Sequence, residues 1–165
     1  MEPYNGSDSI LSSYLNRVLT KLENTINQIL YVPNNTPCFY ARAGVAVVPA
    51  AVVTYTDKSF DTHNGLNITN GRYTVPRRGN YYFRYSQLVS VNGEYRVVFR
   101  KNGSDILGTT FITYRNGGWA HVHTEAHIQV KEGEVIEIYY QSGPANLYSD
   151  PDYGSFSGHM VGVTI

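Results

Sequence analysis

The first part of the chain carries apolar residues at helical spacing. From Ser9 to Val32 they recur on alternating steps of four and three, the heptad seam of a coiled coil. Ser7 and Asp8 are candidate N-caps, and Pro33 ends the pattern. Residues 1–33 are therefore predicted to form a helical stalk, with the seam at Leu11, Leu15, Val18, Leu22, Thr25, Ile29 and Val32.

The width of this apolar stripe bears on how many helices associate. Leu19 and Ile26 extend it beyond the two seam positions, which favours three helices over two, or a helix lying on a partner surface. The seam is only about three heptads long, so we expect the rest of the chain to supply most of the assembly energy. The alternative is one amphipathic helix packed on its own domain.

After a linker at residues 34–37, the pattern changes to period two and predicts a β-sheet head over residues 38–165. Five Asn-Gly pairs, beginning at Asn64, Asn70, Asn92, Asn102 and Asn116, separate aromatic and β-branched runs. Asn-Gly supplies the positive φ angles of tight hairpins. Candidate strands are 38–47, 51–56, 66–68, 72–75, 79–90, 94–101, 105–113, 119–130, 134–142 and 156–164, which together predict a sandwich or barrel.

Composition supports an all-β head and argues against nucleic acid and membrane as partners. The chain has 15 Tyr and 15 Gly, with only 16% charged residues, which suits half-buried sheets and tight turns. Basic and acidic residues number 13 each, so nothing favours nucleic acid as a partner. No apolar run is long enough to insert in a membrane, and residues 1–6 lack the features of a secretory signal. We therefore expect a location in a virion or outside a cell, reached without a signal peptide.

Several segments of the head form an ordered set of landmarks. The central one runs from Asn70 to Phe83 and leads from a Gly-aromatic strand through Pro76 and Gly79 into Tyr-Tyr-Phe. The others are Phe60-Asp61, Arg100 to Gly103, Val130 to Val135, and Phe156 to Met160 near the end of the sequence. In this order they resemble the landmarks of the complement C1q globular-head family, and the resemblance spans about residues 38 to 165.

The resemblance implies a ten-stranded jelly-roll β-sandwich that forms a compact homotrimer. This architecture is related to tumour necrosis factor and is commonly used to bind ligands or receptors. A coiled coil replaces the family's collagen stem, and Glu134 stands where the family often has Asp. Independently of the family, 15 tyrosines are more aromatic surface than one small core hides. Tyr139, next to Tyr140 on one strand, is predicted to face outward into a subunit interface.

A strand rich in histidine is the best candidate for chemistry. Alternation places Trp119, His121, His123, Glu125 and His127 on one face of it. His121 and His123 can share a divalent metal, and His127 or Glu125 could supply another ligand. In a trimer, three copies of one histidine could instead meet at the axis to bind an ion or sense pH. The simplest alternative is a polar strand face with no metal.

Two loops are candidate ligand-binding sites. One carries Tyr148, Asp150, Asp152 and Tyr153, and the other carries Tyr114, Arg115 and Trp119. Aromatic rings stack on sugar C–H faces while polar groups fix the hydroxyls, so a glycan site fits both loops. Asp150 and Asp152 could equally hold Ca²⁺. Ordinary turns are the alternative.

No enzymatic signature stands out in the sequence. There is no nucleophile elbow and no phosphate-binding loop. Cupin enzymes are jelly rolls with a His-x-His pair, but their Glu lies four or five residues beyond the second His, whereas Glu125 is two beyond His123. The sequence therefore predicts a non-enzymatic protein with no catalytic residues.

The leading hypothesis is a trimeric fibre, spike or capsid-decoration protein, viral or phage in origin. Its stalk would attach to a larger particle such as a capsid, and its head would bind a host-surface glycan or protein, or stabilise the particle. The alternatives are a secreted C1q-like ligand or carbohydrate-binding trimer and, less favoured, a cupin-type metal enzyme.

Overall fold

The structure is a computed structural model that describes the backbone of residues 6–29, 36–44, 48–144, 147 and 152–162. The chain divides into two compact units, residues 1–35 and 36–165. The first contains the helix and the second the sheets.

Helix α1 spans Gly6–Ile29 and presents an apolar stripe to solvent. Side chains are described for residues 11–23, and there Leu11, Leu15 and Leu22 are each at least half exposed. Val18 is partly exposed. The seam side chains of Thr25, Ile29 and Val32 lie outside the described residues. No helix in the described ranges is both long and apolar enough to cross a membrane.

The second unit is a sandwich of two antiparallel sheets. In the five-stranded sheet the order is β10-β6-β12-β1-β3, with β1 at Cys38–Gly44, β3 at Tyr55–Asp61, β6 at Gly79–Val89, β10 at Ala120–Val130 and β12 at Gly154–Gly162. The seven-stranded sheet contains β2 (Ala51–Val52), β4 (Leu66–Asn67), β5 (Arg72–Thr74), β7 (Gly93–Lys101), β8 (Ser104–Asp105), β9 (Phe111–Arg115) and β11 (Val135–Ser142). Its main path is β4-β5-β11-β7-β8, while β2 pairs with β11 and β9 with β7.

Aromatic rings fill the space between the two sheets. Phe39 packs on Tyr73 with ring centroids 4.2 Å apart, and on Phe156 at 4.8 Å, so rings from both sheets interlock. Gly158 leaves room for this packing, because a Cβ at that position would collide with the rings of Phe39 and Phe83. The alternation of buried and exposed residues along β6 and β10 therefore gives each strand one core face and one outer face.

Two predicted strands are each divided in the structure. The predicted strand 51–56 becomes β2 and β3, because the chain changes sheets between them: Val53 N–H bonds to Ile138 O of the seven-stranded sheet, whereas β3 pairs with β1. The predicted strand 105–113 becomes β8 and β9, because a turn with Gly108 at φ 79° interrupts it.

Candidate functional site

The histidine strand β10 lies at one edge of the five-stranded sheet. His121, His123 and His127 are exposed on its outer side, while Val122 and Thr124 are buried on its core side. The period-two pattern of the sequence thus describes the two faces of this strand correctly.

We call the outer side of the five-stranded sheet the five-stranded face. Its side chains lie in rows that run across the strands. Strand register sets side chains from neighbouring strands beside one another. One row holds His127, Tyr82, His159 and Cys38; the next holds Glu125, Arg84, Ser157, Tyr40 and Phe60; the third holds His123, Ser86, Ser155 and Arg42.

Tyr82 lies at the centre of an aromatic group on this face. Its ring centroid is 5.1 Å from that of His127 and 5.6 Å from that of His159. Its hydroxyl donates a 2.6 Å hydrogen bond to Glu125 Oε2. This bond stabilises the neutral phenol, which raises the pKa of Tyr82. In the next row Tyr40 stacks on Phe60 at 6.2 Å. Tyr82, Tyr40 and Phe60 thus form an aromatic patch on this outer face, which also carries an ion pair between Arg42 and Asp57.

The histidines of β10 contact different neighbours. His121 Nδ1 is 3.3 Å from Ser86 Oγ, and the ring of His123 lies 4.1 Å from that of Phe111. No group of three His, Cys, Asp or Glu side chains among the described residues is placed to hold a metal ion. A metal held by two of the histidines His121, His123 and His127, or by copies of one of them from three chains, stays a prediction.

A groove lies at the end of the sandwich opposite the start of β1, and we call it the distal groove. It encloses about 350 Å³ and is lined by Leu88, Trp119, His121 and Tyr153. Trp119 is 62% exposed and Tyr153 49%, so two aromatic rings are open to solvent here. His121 and Tyr153 also line a neighbouring hollow of about 320 Å³, which adds Arg84, Asp152 and the hydroxyls of Ser86 and Ser155.

Of the residues predicted for ligand binding, the structure brings three together. Trp119, Asp152 and Tyr153 lie at the distal groove and its neighbouring hollow, although they come from two different loops. Tyr114 and Arg115 do not line it: Tyr114 pairs with Glu94 across β7 and β9, and Arg115 donates to Asn92 Oδ1 at 2.6 Å. Tyr148 and Asp150 lie outside the described residues.

Sequence reasoning missed Arg84, Ser86, Ser155 and the leucine at 88. All belong to β6 or β12, and their place at the groove follows from the pairing of β6 with both β10 and β12. Gly154 brings β12 close enough for this arrangement, because a side chain there would collide with the buried Gln87. The alternation in the sequence shows which residues of β6 and β12 face outward, but not which strands pair with them.

The outer side of the other sheet, the seven-stranded face, differs in character. Arg72 donates to Glu137 Oε2 at 2.8 Å, and Arg96 donates to Glu94 Oε1 at 2.9 Å. A third pair joins Arg100 to Asp105. These neighbouring pairs balance the charge of the face locally.

Tyr139 lies on this seven-stranded face. The guanidinium carbon of Arg100 is 3.1 Å from the centroid of its ring, a cation–π contact that covers the ring within its own chain. Its neighbour Tyr140 is buried, and burial raises the pKa of that phenol. The predicted place of Tyr139 in a subunit interface is untested, and the assembly proposed below does not use this residue.

Comparison with known proteins identifies this architecture. The C1q domain family matches residues 38–161, three quarters of the chain, and the protein belongs to that family. Domains of this C1q and tumour necrosis factor class are generally non-enzymatic binding or ligand modules and are typically trimeric. Comparison with curated protein sequences finds no match.

Solved structures share the fold at low sequence identity. The globular domain of zebrafish complement 1qA is similar, with a TM-score of 0.64, 18% identity, and coverage of 79% of this chain and 100% of that one. The Eiger tumour necrosis factor of S. frugiperda gives a TM-score of 0.63 at 12% identity, over 79% of this chain and 95% of that one. Murine APRIL gives 0.58 at 12%, over 77% and 100%.

Proposed function

We propose that this protein is a non-enzymatic homotrimer in which the five-stranded face of each chain packs against its neighbour. The observation that supports this most is the aromatic group around Tyr82, together with Tyr40 and Phe60, on the outer side of a sheet. Aromatic residues are enriched in subunit interfaces and charged ones depleted. The seven-stranded face carries more ion pairs, and Arg100 covers the ring of Tyr139 there, so that face suits contact with water.

The surface that meets this face is the edge formed by β9 and the turn before it. Leu107 is 97% exposed, Ile112 47% and Tyr114 72%. A face and an edge are different surfaces, so their contact is heterologous and generates a ring when the rotation closes. A three-membered ring is the assembly typical of this family.

The stalk supports the same assembly. Leu11, Leu15 and Leu22 form a stripe on α1 that is exposed in the single chain. Three such helices would bury their stripes against each other as a coiled coil. The stalk would thereby hold three heads at one point, and its outer surface would be available to a capsid or other particle.

This assembly is tested by the mass of the full chain in solution at micromolar concentration. Sedimentation or light scattering should give three times the 18.5 kDa of one chain. A mass of one chain at this concentration would overturn the proposal.

Within this class, the function we propose is that of a viral or phage fibre, spike or decoration protein, located in the virion. A stalk with an apolar stripe and a head with an open groove are the two parts that such a protein needs: one for attachment and one for recognition. The distal groove is the site we assign to a host-surface glycan, because Trp119 and Tyr153 offer stacking surfaces beside serine hydroxyls, Arg84 and Asp152.

Glycan-array binding of the full chain tests the groove. Trp119→Ala and Tyr153→Ala should each lower binding about tenfold, since stacking and buried contact area are lost. Tyr139→Ala removes a ring from the seven-stranded face, away from both the groove and the proposed subunit contact, and should leave binding unchanged. Unchanged glycan binding by both groove variants would show that the distal groove is not the glycan site.

A second candidate is a secreted C1q-like ligand. The structural likeness to the tumour necrosis factor proteins APRIL and Eiger favours it. Purified virus particles that contain this chain would exclude the secreted ligand, whereas a cleaved secretory signal in the full gene would support it.

A further inference from the structure

A small cleft at the other end of the sandwich is the feature that the proposed trimer and the distal groove do not use. It encloses about 190 Å³ and is lined by Arg78, Lys101, Gln129, Lys131 and Glu134. It lies where β6 begins and β10 ends, since Gly79 pairs with Val130. We call it the cationic cleft.

Backbone hydrogen bonds hold the loops around this cleft in place. Gly133 N–H donates to Val75 O at 2.8 Å, and Val75 N–H donates back to Glu134 O at 2.8 Å. Asn102 N–H donates to Val135 O at 2.9 Å. Three loops are thus tied together, so the positions of the cationic side chains rest on a fixed frame.

The charges in the cleft do not cancel. Among the described residues that line it, Glu134 is the only acid, and both of its carboxylate oxygens are engaged. Oε2 accepts a hydrogen bond from the Lys131 N–H at 2.7 Å, and Oε1 lies 3.7 Å from Lys101 Nζ. Across the described part of the chain, the side chains of Arg78 and Lys131 make neither an ion pair nor a hydrogen bond. Two cations without acidic partners therefore line one concave site.

This arrangement is unusual for this head. Most of its basic side chains have an acidic partner: Arg42, Lys58, Arg72, Arg96, Arg100 and Lys101. Arg84 also lacks one in the described ranges, but its strand neighbour on the five-stranded face is Glu125 and not a second unpaired cation. With a formal net charge of zero, the chain has no general excess of positive charge to explain the pairing of Arg78 with Lys131 in one cleft.

We propose that the cationic cleft binds a sulfate or phosphate monoester group. Arginine offers a planar fork of donors that matches such an oxyanion, and lysine adds a point charge. The cleft has room for one such group and its first substituent atoms, but not for an extended polyanion. The site is separate from the distal groove, which lies at the opposite end of the same sheet.

Calorimetric titration of the full chain with three small probes tests this site. Glucose 6-sulfate and glucose 6-phosphate should bind, and glucose itself should not. The tighter of the two esters identifies which oxyanion the cleft prefers. Binding should weaken as salt rises, because screening reduces the attraction between exposed charges. No binding of either ester would overturn the proposal.

Substitutions locate the binding in the cleft. Arg78→Gln and Lys131→Gln should each weaken the tighter ester about tenfold, since each removes a charge-assisted contact. Lys131→Arg keeps the charge and should retain binding. Arg96→Gln removes a cation from the seven-stranded face and should change nothing. Ester binding that is equal in the wild type and the two cleft variants would contradict the proposal, and it would leave the trimer and the glycan groove untouched because they are tested by mass and by array binding.

Discussion

The two outer faces of the sandwich come from strands with similar alternation, yet they carry different side chains. On the seven-stranded face, arginines stand beside carboxylates and even the exposed side of Tyr139 is covered by Arg100. On the five-stranded face, Tyr82, His127 and His159 lie together, and Tyr40 stacks on Phe60. Local charge pairing keeps the first face compatible with water. The second has aromatic surface that a neighbouring chain can bury.

The largest effect should come from placing a charge on the five-stranded face. Phe60→Lys should convert the trimer to monomer, because a buried ammonium without a partner costs roughly 3–5 kcal/mol. Light scattering measures the mass of the variant. Thr74→Lys adds the same charge to the seven-stranded face, where Thr74 is exposed, and should leave a trimer. A trimeric Phe60→Lys protein, or a monomeric Thr74→Lys protein, would break the distinction between the faces.

An intermediate effect should come from an ion pair on the seven-stranded face. Arg72 pairs with Glu137, whose side chain is only 2% exposed, so Arg72→Ala leaves a buried carboxylate without its cation. We expect a loss of about 2–3 kcal/mol in the free energy of unfolding, at the lower end for such pairs because Arg72 is itself half exposed.

Urea denaturation measures this loss, and Arg96→Ala is its control. Arg96 and Glu94 are both exposed, so their pair should contribute less than about 1 kcal/mol. Equal losses in the two variants would mean that the burial of Glu137 does not govern the strength of its pair.

The smallest effect on stability should come from removing the hydroxyl of a buried tyrosine, and it should differ between the two sheets. Tyr85 of the five-stranded sheet is buried, and its hydroxyl has no hydrogen-bond partner in the described part of the chain, whereas Tyr140 of the seven-stranded sheet donates to Pro144 O at 2.7 Å. Tyr140→Phe should therefore lower the free energy of unfolding by about 1 kcal/mol, and Tyr85→Phe should leave it unchanged or raise it. Thermal melts of both variants check the sign, and a clear destabilisation by Tyr85→Phe would contradict this account.

Much of the fold was predictable because its signals are local. Alternation along Gly79–Val89 and Ala120–Val130 and the Asn-Gly turns depend on neighbours in sequence, and the landmarks from Asn70 to Phe83 led to the C1q family. The change of sheet after Val53 was not predictable, since Val53 bonds to Ile138, which is far away in sequence.

The candidate sites were also predictable only in part. Trp119 and Tyr153 were visible as exposed aromatic residues in loops, but only the register between β6, β10 and β12 places them in one groove. Residue type suggested that the histidines of β10 share a metal; the described residues of one chain form no group of three ligands, and the hypothesis stays a prediction. No sequence motif marks the cationic cleft, because Arg78, Lys101 and Lys131 come from three separate segments of the chain.

The difference between the two faces is tested most directly by hydroxyl-radical footprinting of the full chain, with the Phe60→Lys monomer as reference. We predict that Tyr82, whose ring contacts His127 and His159 and not Phe60, is labelled several-fold more slowly in the wild type than in the monomer, while Tyr139 is labelled at the same rate in both. Equal labelling of Tyr82 in the two proteins would show that the five-stranded face is open to water and would contradict the assembly proposed for it.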